Sequence, residues 1–312
     1  MKKIRRLIFL IFLVTCVAFV LFIGGRFFSK DTKGPEITMK KEKITASIED
    51  TDQALLKGIQ AHDKKDGDVS KSLIIESLKM NQDRTCTLVC AAFDKSNNVS
   101  KATRTVEFED YSPTHFSITR PLRFPLGSES QVLKSITATD CVDGDITNRI
   151  KLTRKNDDSD YAGAGIYEYK ASVTNNMGDT QTLPISVEFY ADSYEERLFH
   201  PNIYLSQYVL YLKQGSSFQP MDYLDSVEIG DKLYVFDENI SAEETMEDLS
   251  VSQGETPSLT QDGKTISGVI SYDAVKYQSN VKTEEPGIYT VEYSCTTKDK
   301  YTGAVQMTVV VE

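Results

Sequence analysis

Hydrophobic and polar positions divide the chain into one unbroken apolar run followed by a long region of alternation. Leu7–Gly25 is 19 residues without a charge, interrupted only mildly by Thr15 and Cys16. As a helix rising about 1.5 Å per residue it reaches about 28 Å, close to the ~30 Å hydrocarbon core of a bilayer, so it predicts a single membrane-spanning helix. Lys2, Lys3, Arg5 and Arg6 precede it and favour a cytoplasmic N-terminus, a bias softened by Arg26, Lys30 and Lys33 on the far side. Residues 34–312 are then expected outside the cell. The run is longer than the apolar core of a cleaved signal peptide and ends Phe22-Ile23-Gly24-Gly25-Arg26, which favours an uncleaved anchor over a signal peptide. Leu13-Val14-Thr15-Cys16 faintly resembles a lipobox; the other reading makes Cys16 an ordinary membrane-helix residue.

Beyond residue 33 the period is two. In Gly165–Val173, Tyr167, Tyr169, Ala171 and Val173 share one face and Glu168, Lys170 and Ser172 the other, the pattern of a strand with one buried side. Pro286–Cys295 repeats the design through Tyr289, Val291, Tyr293 and Cys295, and Thr85–Phe93 through Cys86, Leu88, Cys90 and Ala92. Helices have little support: Thr51–Gln60 and Ser241–Leu249 are the two short candidates.

These strands belong to repeats. Ile59-Gln-Ala-His-Asp-Lys-Lys-Asp-Gly-Asp-Val69 and Ile136-Thr-Ala-Thr-Asp-Cys-Val-Asp-Gly-Asp-Ile146 match at Ile, Ala, three Asp and Gly, 77 positions apart. A third, larger copy lacks this loop. Modules this small, made of alternating strands, must pack two sheets face to face to hide their apolar sides. The expected architecture is all-β: tandem Ig-like β-sandwiches behind one N-terminal transmembrane helix. The divisions are 1–33 for stub, anchor and linker, 34–110 and 113–191 for the first two modules, and 203–312 for the divergent third.

The motifs resemble the bacterial surface Ig-like repeat also found in an insecticidal crystal protein, with its A-x-D-x-x-D-G-D-[VI] loop and its P-G-x-Y-x-V-x-Y-x-A-x-D-x-x-G-N strand and turn. The second repeat matches at Ala138, Asp140, Asp143, Gly144, Asp145, Ile146, Gly165, Tyr167 and Gly178. The first keeps the loop and Asp94 but has Cys86 for the tyrosine and Asn97 for the turn glycine; the third keeps Pro286, Gly287, Tyr289, Val291 and Tyr293. The resemblance implies an extracellular, non-catalytic module and supplies no ligand.

Charge narrows the partners. Residues 1–33 hold seven basic groups and one acidic, leaving 28 basic against 45 acidic, a net −17, over residues 34–312. Such a surface repels nucleic acid. Chemistry is sparse: His62, His115 and His200 are scattered, the five cysteines form no C-x-x-C pair, and no G-x-S-x-G or P-loop occurs. Asp143 with Asp145, or Glu284 with Glu285, lacks any sign of the cleft an acid/base pair needs. No enzyme and no cofactor is expected, with one possible exception. Asp63, Asp66 and Asp68, and again Asp140, Asp143 and Asp145, could offer oxygens to Ca²⁺. EF-hand spacing fails, since Lys65 and Val142 stand at the third position. The other reading is a tight Asp-Gly turn whose carboxylates accept backbone N–H groups.

Cys86, Cys90 and Cys295 read as small buried residues, and a Cys90–Cys141 bridge stays open. Cys86 and Cys90 lie about 13 Å apart along one strand, too far to pair. Tyr204, Tyr208, Tyr211, Phe218, Tyr223, Tyr234 and Phe236 are either core or a sugar-binding strip, and Tyr208–Tyr223 predicts a strand, a turn at Gly215 and an edge segment near Pro220. The expectation is a non-catalytic surface protein held by residues 7–25 in the membrane, a stalk or binding module for an extracellular protein or glycan. The alternatives are an accessory subunit of an envelope complex and an extracellular polysaccharide hydrolase.

Overall fold

The computed structural model describes residues 2–29, 31–155, 163–240, 260–261 and 264–312. The candidate helix at Ser241–Leu249 lies outside them. The chain divides into two compact units, Met1–Tyr111 and Ser112–Glu312.

The first unit opens with α1, Lys2–Ser29. The side chains of residues 8–22 are all exposed, and Thr15 returns its hydroxyl to the Ile11 and Phe12 carbonyls at 3.1 and 2.8 Å, which hides its polarity within the helix. Among the described residues no helix is long and apolar enough to cross a membrane; the side chains of residues 23–29 of α1 are not among those described.

A seven-stranded module follows. One sheet joins β1 (Glu36–Met39), β3 (Ile59–Asp63) and β4 (Gly67–Asp68); the other joins β2 (Lys43–Ala46), β7 (Val99–Phe108), β6 (Cys86–Phe93) and β5 (Ile74–Met80) in that order. Cys86, Leu88, Cys90, Ala92 and Val106 are fully buried between them, so the alternation read from Thr85–Phe93 is the inner face of a sheet. The helix expected over Thr51–Gln60 shortens to one turn, α2 (Asp52–Leu55), capped by the Thr51 hydroxyl. Gly58 at φ +79° ends it, and Ile59 and Ala61 are needed in the core as part of β3.

The second unit repeats this plan. Its first module pairs β8 (His115–Ile118) with β10 (Ile136–Asp140) and β11 (Gly144–Asp145), and orders β12 (Lys151–Arg154), β13 (Gly165–Thr174), β14 (Thr180–Tyr190) and β9 (Arg123–Pro125) in the opposing sheet. A helix unforeseen in the sequence, α3 (Glu129–Lys134), seats buried Val132 on the core. In β13, Ala171 and Val173 are buried and the two tyrosines are half-buried.

A short helix lies between the second and third modules. Ser193 caps α4 (Tyr194–Phe199), and β15 (Pro201–Leu205) begins two residues before the expected boundary. One sheet of the last module joins β16 (Val209–Leu212), β23 (Thr302–Val311), β22 (Gly287–Thr296) and β21 (Val275–Ser279). The extra length of this module is spent on the other, where β15 meets β17 (Leu224–Ile229), β18 (Lys232–Phe236), β20 (Lys264–Ile270) and β19 (Thr260–Gln261). Pro220 does not lie on an edge strand: Pro220–Tyr223 is a 3-10 turn, held by the buried Tyr293 hydroxyl donating to the Pro220 carbonyl at 2.8 Å. The two modules share a single apolar core cluster.

Candidate functional site

The repeated acidic loops are built by the same local rules and end with different charge. In each, a glycine at positive φ turns the chain, Gly67 at +76° and Gly144 at +68°. The preceding aspartate accepts backbone amides: Asp63 from Lys65 and Asp66 at 2.7 and 3.0 Å, Asp140 from Val142 and Asp143 at 2.9 and 3.1 Å. Asp68 and Asp145 face the next turn, accepting the amides of Ser70 and Thr147, each at 2.9 Å. The tight-turn reading therefore accounts for the first and third aspartates of each loop, while Asp66 and Asp143 bond across to a later turn at Lys95 and Asn176. Hydrogen bonds hold Asp63, Asp68 and Asp145 below the usual carboxylate range, led by the Asp66 amide for Asp63 and by the Ser70 and Thr147 hydroxyls for the other two.

The first loop also gathers carboxylates. Ligand atoms of Asp31, Asp63, Asp66 and Asp94 all lie within 4.8 Å of one another. Asp94 comes from the turn after β6, where its Oδ1 accepts the amides of Ser96 and Asn98, both at 2.8 Å. Asp66 reaches across to the Lys95 amide at 2.9 Å. Two ammonium groups stand close by, Lys65 at 3.9 Å from Asp31 and Lys95 at 3.8 Å from Asp66. Ca²⁺ takes six to eight hard oxygens, and among the described residues these four side chains are the group that could offer several of them together. Asp68 is not in this group, and among the described residues Asp140, Asp143 and Asp145 form none. The sequence pointed to Asp63 and Asp66 and missed Asp31 and Asp94. Asp94 was visible as the repeat's turn aspartate; Asp31, in the linker before β1, gave no signal.

In the second loop, Asn175 replaces Asp94 and donates to Asp140 at 3.1 Å, alongside the Thr114 hydroxyl at 2.5 Å. Asp143 is held by Arg149 at 2.8 Å and by the backbone and side-chain amides of Asn176 at 2.7 and 2.8 Å. For Asp140 burial pushes the pKa up, but the Thr114 hydroxyl, the two backbone amides and Asn175 outweigh it, and the net direction is down.

The remaining candidates resolve differently. No cysteine is in a disulfide, so no Cys90–Cys141 bridge forms; Cys141 sits 2.9 Å from the Ser112 carbonyl. Of the seven aromatics, Tyr208 and Tyr234 are buried, Tyr211, Phe218, Tyr223 and Phe236 pack on the core, and half-buried Tyr204 donates to Glu228 at 2.6 Å, so they make no exposed sugar strip. Burial pushes Tyr208 and Tyr211 up to about 12. Glu285 pairs with Lys282 at 3.2 Å on the surface.

No family profile and no curated protein matches the chain. Solved structures similar to it include the M60 catalytic domain with the CBM51-1 and CBM51-2 domains of Clostridium perfringens ZmpB, at 11% identity over 89% of this chain and 30% of that one, TM-score 0.21. Another is CBM51-2 in complex with GlcNAc and INT domains from the same protein, at 14% identity over 49% of this chain and 41% of that one, TM-score 0.19. A third is mouse cadherin-23 EC22-24, at 11% identity over 90% of this chain and 99% of that one, TM-score 0.19. The chain spans less than half the length of the first two.

Proposed function

We propose that the chain is a non-catalytic, membrane-anchored extracellular protein, a stalk of Ig-like β-sandwiches that presents a binding surface. The observation that carries this reading is the contrast between α1 and everything after it. Residues 8–22 leave an almost wholly apolar helix exposed on all sides, whereas the modules bury their apolar strand faces. A continuous apolar helix surface of this extent is stable in lipid, not in water. Anchoring runs through residues 7–25, with residues 34–312 outside. Within this reading, Asp31, Asp63, Asp66 and Asp94 give the membrane-proximal module a place for calcium, which is abundant outside cells.

The test uses the full chain in a bacterial cell that expresses it. The expected result is a protein extracted from membranes only by detergent, whose modules are digested by protease added to intact cells. Recovery in the soluble fraction, or protection of residues 34–312 in intact cells, overturns the reading. Stable co-purification with a membrane complex would replace the stalk with an accessory subunit, and turnover of an extracellular polysaccharide would replace it with a hydrolase.

A further inference from the structure

Within the Ser112–Glu312 unit a cleft separates β12–β14 from β22 and β23. Its wider part, about 790 Å³, is lined by Arg154, Lys155 and Lys170 on one side and by Ile288, Thr290 and Gln306 on the other. A narrower extension of about 270 Å³ shares Ile185, Ser186 and Gln306 with it and runs past Ile166 and Leu122.

Two properties of this cleft are unneeded by the fold. First, Ile166 and Ile288 occupy the same place in the Gly-Ile-Tyr that opens the paired strand of each module, and both point away from the core, 69% and 44% exposed. Alternation assigns that face to polar residues, as with Glu168, Lys170 and Glu292. Second, the wider part is locally basic, with three cations against Glu168, inside a region of net charge −17. Lys155 is paired with Glu168 at 2.8 Å and Arg154 lies 4.1 Å over the Tyr167 ring. Lys170 stands between Thr153 and Pro184 on the neighbouring strands, with no carboxylate directly across from it. A local reversal of sign selects an anionic partner and repels a cationic one.

The exposed apolar groups, Ile166 and Ile288, are branched aliphatics, whereas the aromatics in the lining are half-buried (Tyr169) or buried (Tyr208). Sugar rings stack best on aromatics; isoleucines suit aliphatic side chains. We propose that this cleft docks an extended acidic segment of a partner protein, with aliphatic side chains against Ile166 and Ile288 and carboxylates toward Lys170 and Arg154. The inference rests on the reading of the chain as a binding stalk and names where its partner sits.

The test is fluorescence polarisation with the full chain in detergent micelles and a short fluorescein-labelled peptide alternating Glu and Leu. Saturable binding is expected, weakened about tenfold by Lys170→Glu and by Ile288→Ser, two exposed positions that leave the core intact. The matching Lys/Leu peptide should not bind. No binding of the Glu/Leu peptide, equal binding of the Lys/Leu peptide, or indifference to both substitutions overturns the proposal. Variant-sensitive binding of polygalacturonate without binding of the peptide overturns it in favour of an anionic glycan. None of these results touches the membrane topology, whose failure would be seen separately by protease treatment of intact cells.

Discussion

Asn175 donates its side-chain amide to Asp140 at 3.1 Å, at the place where the preceding repeat sets the carboxylate of Asp94 beside that of Asp63. An amide in place of a carboxylate at this position closes a hydrogen-bond network in the second loop where the first gathers negative charge. Arg149 completes the difference by neutralising Asp143, where the first loop has Ser72, whose hydroxyl instead accepts the Phe93 amide at 2.8 Å.

Calcium titration of the full chain should therefore show a single site, in the first module. Asp66→Asn or Asp94→Asn should abolish the calorimetric signal, the latter by copying the second repeat, and Asp143→Asn should leave it unchanged. At a hundredfold excess over Kd the ion should add about 2.7 kcal/mol to unfolding. A site that survives Asp94→Asn would place the ion elsewhere.

Asp140→Ala should cost about 3 kcal/mol in urea denaturation at neutral pH, because it strands buried donors from Thr114 and Asn175 and two backbone amides. The folded carboxyl titrates below its unfolded value of about 3.9. Its contribution is complete above that value and disappears as pH falls through the lower folded value. The stability gap between wild type and variant should shrink below about pH 4; a gap constant across that range would remove the carboxylate from the explanation.

Arg123 ties four segments together. It bonds Glu188 on β14 at 3.1 Å, Glu196 on α4 and Asn202 on β15 at 3.3 Å, while stacking 4.1 Å from the Tyr190 ring. Arg123→Ala should cost about 3 kcal/mol and expose the stretch around residues 192–200 to limited proteolysis. Unchanged cleavage kinetics would deny the clamp.

Two glycines offer contrasting substitutions. A Cβ on Gly303 would lie 1.7 Å from the Pro201 carbonyl oxygen, so Gly303→Ala must push β15 off β23. A Cβ on Gly67 meets nothing within 4 Å, leaving only the left-handed φ as a cost. Thermal unfolding should show Gly303→Ala losing about 3 kcal/mol or more and Gly67→Ala about 1 kcal/mol. Equal losses would contradict the close approach.

The strands were legible because a period of two is a local property: Leu88, Ala171, Val173 and Val291 fell on the predicted side and are all buried. The acidic turns were legible too, since Asp63 and Asp140 bond to amides two and three residues ahead. What lies far apart in sequence was not. Asp31 joins Asp63 only through the path of the linker, and the cleft exists because two outer sheet faces meet. The short helices α3 and α4 escaped because six residues hold too few turns to show a helical period.

In all three modules the sheet-entering strand runs parallel to the last strand: β2 beside β7, β9 beside β14, β16 beside β23. A force drawing a module's two ends apart along these strands loads the bonds of that pair together, in shear, rather than peeling them one at a time. Under such a force a module's mechanical strength should be set by the three or four residue pairs of that short parallel ladder, well before its hydrophobic core is tested.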